Sequence, residues 1–129
     1  MTTGDALLEL AALQGFSGAA LFSPAGELLA TCGGDGQLEA VGELTSRVLL
    51  GAKRASQRIG AGGGHGVHVA GDRAHVLVRC LNEGTDPLGS QPGKAHLHLV
   101  VVLAPGASVA LAKARMATSL RALADRFRA

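Results

Sequence analysis

The chain has 129 residues, 47% of them hydrophobic and 17% charged, with a formal net charge of +2; that is room for one core in one domain spanning 1–129. So small a charge, with no Trp or Tyr and only Phe16, Phe22 and Phe127 as aromatic platforms, argues against nucleic-acid binding. Cys32 and Cys80 lie far apart with no close-spaced partner, so neither a zinc nor a disulfide framework is indicated, and Leu99–Ala104 is too short to span a bilayer.

Met1–Asp5 has no basic region ahead of an apolar run, so no secretory signal is read and a reduced, cytoplasmic protein is expected. Thr2 or Thr3 can cap a first helix, with Asp5 and Glu9 early in it and Leu7, Leu8, Leu10, Ala11 and Leu13 as a broad apolar face. Gly15 ends it. Ser17–Ser23 is expected as a strand, Pro24-Ala25-Gly26 as a tight turn and Glu27–Cys32 as the returning strand. Gly33–Gly36 forms a loop whose Asp35 or Gly36 can open the next helix.

Gln37–Ile59 is the most informative stretch. Leu38, Val41, Leu44, Val48, Leu49, Ala52 and Ile59 recur at three- and four-residue steps, which predicts one apolar helix face. Glu39 and Glu43 precede Arg47, Lys53, Arg54 and Arg58, an order that suits the helix dipole. It also suits a second copy lying antiparallel, where Glu39 and Glu43 would meet Lys53, Arg54 or Arg58 of the partner and set orientation. The basic half could equally meet phosphate, lipid or an acidic partner, or be a solvated face.

After a pliant run at Gly60–Gly64, His65–Ala70 alternates, turns at Gly71-Asp72 and returns as Ala74–Leu81. Asn82–Ala95, with three Gly and two Pro, is expected as a long loop. His96–Leu103 is strongly apolar and is placed centrally in the sheet. Val109–Phe127 is the final helix, with Val109, Ala112, Met116, Leu120, Leu123 and Phe127 inward; Lys113, Arg115, Arg121, Arg126 and Arg128 are solvated or tail positions. The predicted fold class is α/β (α+β), in the order α-β-β-α-β-β-β-α. Its architecture is a single five-stranded antiparallel sheet with helices on both faces.

Catalytic chemistry is thinly supported. Gly60–Gly66 lacks the Gly-Lys-Ser/Thr ending of a phosphate loop and the dinucleotide spacing. No Gly-x-Ser-x-Gly elbow surrounds Ser17, Ser23 or Ser56. With Gly71-Asp72 as the turn, His68 falls opposite His75, near enough for two imidazoles to share a metal, and His96 and His98 could join them. A half-exposed sheet face that tolerates His is the plainer reading, and no Cys, Asp or Glu completes the set. No metal, cofactor or enzymatic activity is expected.

Leu7–Leu13 followed by Gly15-Phe16-Ser17-Gly18-Ala19-Ala20-Leu21, the hairpin Ser23–Ala30, and Leu97–Leu103 followed by a break and the helix to Phe127 together resemble the roadblock family, the roadblock/profilin-like modules named after a dynein light chain. The resemblance covers nearly the whole chain and departs at Asn82–Ala95, where the family often has a short turn. It implies a homodimer, with sheets joined edge to edge and the two central helices packed together. Leu38, Val41, Leu44, Val48, Glu39, Glu43, Arg47, Lys53 and Arg54 would then form the dimer and partner interface. Bacterial members are similar to a polarity regulator that pairs with a Ras-like GTPase and supplies no catalytic side chain. The expected function is therefore a protein-binding module regulating or scaffolding such a GTPase, with no nucleic-acid or membrane partner. A structural, cytoskeletal or signalling adaptor without effect on hydrolysis is the alternative, and a sensor holding a small molecule between sheet and helices is the third class.

Overall fold

A computed structural model describes residues 3–23, 26–34, 37–40, 42–61, 66–80 and 97–127; the side chains of 3, 4, 37, 43 and 124–127 fall outside the description. The elements are α1 (Thr3–Leu10), β1 (Phe16–Phe22), β2 (Leu28–Gly33), α2 (Gln37–Ala40), α3 (Gly42–Arg58), β3 (Gly66–Ala70), β4 (His75–Cys80), β5 (His98–Leu103) and α4 (Val109–Phe127). The strands form one sheet in the order β2-β1-β5-β4-β3, and every pairing is antiparallel. β5 lies in the middle, as its unbroken apolar run requires of a strand covered on both faces.

Alternation along the strands divides the interior in two. Leu99, Val101 and Leu103 of β5 face a core built with Leu7, Leu10 and Leu13 and with Ala112, Met116, Leu120 and Leu123 of α4. Burying each of those leucines contributes roughly 1.5–3 kcal/mol before chain entropy is counted. Val100 faces the other way, into a second core with Phe22, Leu49, Val78 and Cys80. α1 and α4 pack on each other over the first face, while α2 lies against β1 and α3 over β3 and β4 on the second.

α4 has the expected ends, and four of its expected inward residues, Ala112, Met116, Leu120 and Leu123, are buried. α1 is shorter than the pattern suggests: the helix stops at Leu10, Leu13 is carried inward by the following turn, and Leu8 is left exposed. Gly15 then adopts a φ of +83°, natural only for a residue without a Cβ. Its carbonyl accepts from the Ala104 N–H at 2.7 Å, which ties the end of α1 to the connection between β5 and α4.

The β3–β4 hairpin differs in register from its sequence reading. Ala70 pairs with His75 and His68 with Leu77, and the Gly71 N–H donates to the Ala74 carbonyl at 2.9 Å. The turn residues are therefore Asp72-Arg73, one position later than Gly71-Asp72. Each β3 residue gains a partner two positions further along β4, so every side chain keeps its expected face. The expected loop at 82–95, Val41 and the cap at Asp35 or Gly36 lie outside the described residues.

Candidate protein-binding face

The single apolar stripe expected on the central helix is two stripes on opposite sides of α3. Gly42, Ser46, Leu49 and Lys53, at steps of four, three and four, are buried toward the sheet. Leu44, Val48, Gly51 and Ala55, continued by Ile59 just past the helix end, form the outward line. Leu44 is 58% exposed, Val48 48% and Ile59 81%. Three- and four-residue spacing occurs in both sets, and a helix places them about half a turn apart.

The inward stripe fixes the helix. A Cβ at Gly42 would stand 2.5 Å from Cδ1 of Phe22 and 2.7 Å from the Gly26 carbonyl oxygen, so the first turn of α3 touches β1 directly. One turn on, Ser46 Oγ lies 2.8 Å from His98 Nδ1. Ser46 and His98 are both nearly inaccessible to solvent, so this bond satisfies polar groups that are cut off from water.

The expected interface residues divide accordingly. Leu44, Val48, Arg47 and Arg54 are exposed on α3, and Glu39 is exposed on α2. Leu38 is half-buried against the second core. Lys53 is buried on the inward stripe, which turns it away from the acid-over-base pairing considered above and leaves Arg54 and Arg58 as the exposed bases of that half. Val41 and the side chain of Glu43 fall outside the described residues. Gly51 and Ala55, passed over in the sequence, fill the middle of the outward line, and a Cβ at Gly51 would meet nothing within 4 Å.

A family model, the Roadblock/LC7 domain, matches residues 2–85. The chain belongs to the Roadblock/LC7 family. The matched span runs from α1 through β4 and contains α3. The fold is that of solved roadblock structures over nearly the whole length. The Roadblock/LC7 domain from Streptomyces avermitilis is 18% identical with a TM-score of 0.77, covering 94% of this chain and 92% of that one. MglB of Myxococcus xanthus is 14% identical with a TM-score of 0.79, covering 98% and 94%. The gliding protein MglB from Thermus thermophilus is 18% identical with a TM-score of 0.75, covering 96% and 87%. No curated protein matches the chain in sequence.

In this roadblock chain the histidines lie apart from where their sequence spacing puts them. In antiparallel pairing, residues directly opposite share a face, and His75 pairs with Leu103 while Cys80 pairs with His98. His75 therefore lies on the α1/α4 side and His98 on the α3 side, so His98 cannot join His68 and His75; His96 is outside the described residues. His68 and His75 do meet, diagonally rather than directly opposite, with Nε2 of His68 2.9 Å from Nδ1 of His75. Among the described residues no group of three His, Cys, Asp or Glu could hold a metal, and no helix is long and apolar enough to cross a membrane.

Proposed function

We propose that this chain acts as one roadblock module that pairs with a second copy through the outward line of α3. The joined helices then form a symmetric platform for another protein in the cytoplasm. The observation that carries this reading is the apolar row Leu44, Val48 and Ile59, left in water by a helix whose opposite side is fully engaged. Burying such a row against its own copy removes apolar area from water twice over. α3 lies over β3, the strand at one end of the sheet, so the helix and that end strand are neighbours. Helix pairing and edge-to-edge sheet pairing are then compatible in one dimer. Glu39 and Arg54 or Arg58 would face each other across the antiparallel helices, contributing orientation more than affinity because they stay exposed.

The partner this reading favours is a small Ras-like GTPase, as the resemblance to the bacterial polarity regulator implies. The module binds and positions and performs no chemistry itself. Leu44→Asp tests the pairing. Leu44 is on the exposed side of the isolated chain, so the variant keeps its circular dichroism while sedimentation shifts from dimer to monomer. Burying an unpaired carboxylate in the joint costs several kcal/mol. A wild-type monomer at micromolar concentration, or a variant that remains dimeric, would overturn the pairing. Affinity capture with the wild-type dimer, followed by GTP hydrolysis measured with the captured GTPase, then tests the partner. A bound GTPase whose turnover is unchanged assigns the adaptor role instead.

A further inference from the structure

We propose that the cleft between the β3–β4 hairpin and α4 binds a phosphate group. It lies on the α1/α4 side of the sheet, opposite the outward line of α3, so its test does not depend on whether those helices pair. Gly66, Val67, His68, Leu77, Arg79 and Lys113 line a space of about 270 Å³. That is below the roughly 300 Å³ at which pockets for drug-sized molecules begin, so the space suits one anionic group with a small organic remainder. The lining carries the side chains of Arg79, Lys113 and His68, and no acidic residue is among its described members.

Arg79 is held in place. Gly66 pairs with Arg79, and a Cβ at Gly66 would stand 3.0 Å from Arg79 Cγ and 2.9 Å from the Val78 carbonyl oxygen. The missing side chain lets the arginine stem lie across the edge strand, and it keeps the outer end of the cleft open. Arg79 Nη1 donates to the Lys113 carbonyl at 3.4 Å, which brings the guanidinium to the turn of α4 that carries the Lys113 side chain. A guanidinium has five N–H groups in a planar fork suited to phosphate oxygens, and the ammonium adds a point charge. Together the fork and the ammonium match the several oxygens of a phosphate better than a single carboxylate.

His68 supplies the third group. The Pro105 carbonyl can only accept, so the His75 Nε2–H donates to it at 2.9 Å. His75 Nδ1 then holds a lone pair and accepts the His68 Nε2–H. The remaining nitrogen, Nδ1 of His68, has no protein partner among the described residues. It can accept from a P–O–H or, once protonated, donate to a P–O⁻. The relay from Pro105 thus sets the ring at the sheet edge with one nitrogen to spare.

Titration of the full chain, followed by amide NMR at constant ionic strength, tests the cleft with inorganic phosphate and with glycerol 1-phosphate. The expected result is saturable shifts centred on Gly66–His68, Leu77–Arg79 and the turn of α4 around Lys113. Arg79→Gln and Lys113→Gln should each weaken binding about tenfold, the scale of one charge-assisted bond, whereas Arg121→Gln, an exposed position elsewhere on α4, should leave it unchanged. Tighter binding of the ester assigns the site to an organic phosphate, and equal binding assigns it to free phosphate. Shifts that never saturate, that persist unchanged in Lys113→Gln, or that centre on Arg54 and Arg58 would overturn the proposal.

Discussion

On one face of the sheet two helices bury Leu7, Leu10, Met116 and Leu123 together with Leu99 and Val101, and α1 and α4 also cover each other. On the other face a single long helix covers Phe22, Val78 and Val100 with Leu49. That helix leaves Leu44 and Val48 about half in water on its far side. The first face buries the inward stripes of both its helices within the chain and leaves Leu8 and Leu111 as single exposed leucines, one on each helix. The second has spare apolar surface of a kind that a helix in a finished core does not carry. On the function proposed above, the continuous outward row of α3 is the side that meets another surface.

Removing a large side chain from each face sharpens that contrast most strongly. Met116→Ala and Leu49→Ala both empty fully buried sites, and each should lower unfolding free energy by about 2–5 kcal/mol. Urea melts at several protein concentrations separate them. Met116→Ala should leave self-association unchanged once the fold is intact, whereas Leu49→Ala loosens the seat of α3 and should weaken association as well. Equal effects on association would mean that the two faces are not specialised.

The buried serines give a smaller version of the same comparison. Ser46→Ala removes the hydroxyl 2.8 Å from His98 Nδ1, a contact between two side chains that are both nearly inaccessible to solvent, at a cost of about 1–3 kcal/mol. Ser119→Ala removes a donor to the Ala6 carbonyl at 3.2 Å. A carbonyl within the helix α1 retains its backbone environment, so about 0.5–1.5 kcal/mol is expected. Thermal or denaturant melts of the two variants side by side check the order, and a larger loss from Ser119→Ala would reverse the polar part of the contrast.

Much of this architecture is legible in the residues. α4 follows from an uninterrupted 3.6-residue stripe after the Pro105-Gly106 break, and the central place of β5 follows from its unbroken apolar run. The two-sided character of α3 is not legible, because Leu44, Val48, Gly51 and Ala55 recur at the same steps of four, three and four as Gly42, Ser46, Leu49 and Lys53, and periodicity alone does not say which line meets the sheet. A polar residue, Ser46, on the inward line even argues for the wrong side until its partner His98 is seen. The hairpin slips because Gly71-Asp72 and Asp72-Arg73 are both acceptable turn pairs. The slip of two positions keeps side-chain faces, which is why His68 and His75 still meet. Arg79 and Lys113 lie 34 positions apart in sequence, and no local pattern could have joined them.

The smallest expected effect is the one that reads the open face most directly. Gly51 sits inside α3 on the outward line, where an added Cβ meets nothing within 4 Å of the same chain. In a lone subunit Gly51→Ala should therefore stabilise the helix by about 0.5–1 kcal/mol, since alanine loses less backbone freedom on folding. In a pair of helices crossing at this line the same methyl occupies the point of closest approach and should weaken association, with Gly51→Leu weakening it further. Stability rising while affinity falls, from one methyl group, has no explanation in a helix that faces only water. Denaturant melts extrapolated to dilute protein give the first quantity and sedimentation equilibrium gives the second. If stability rises and association is unchanged in both Gly51→Ala and Gly51→Leu, the outward line of α3 is a solvated surface and the helices do not meet there.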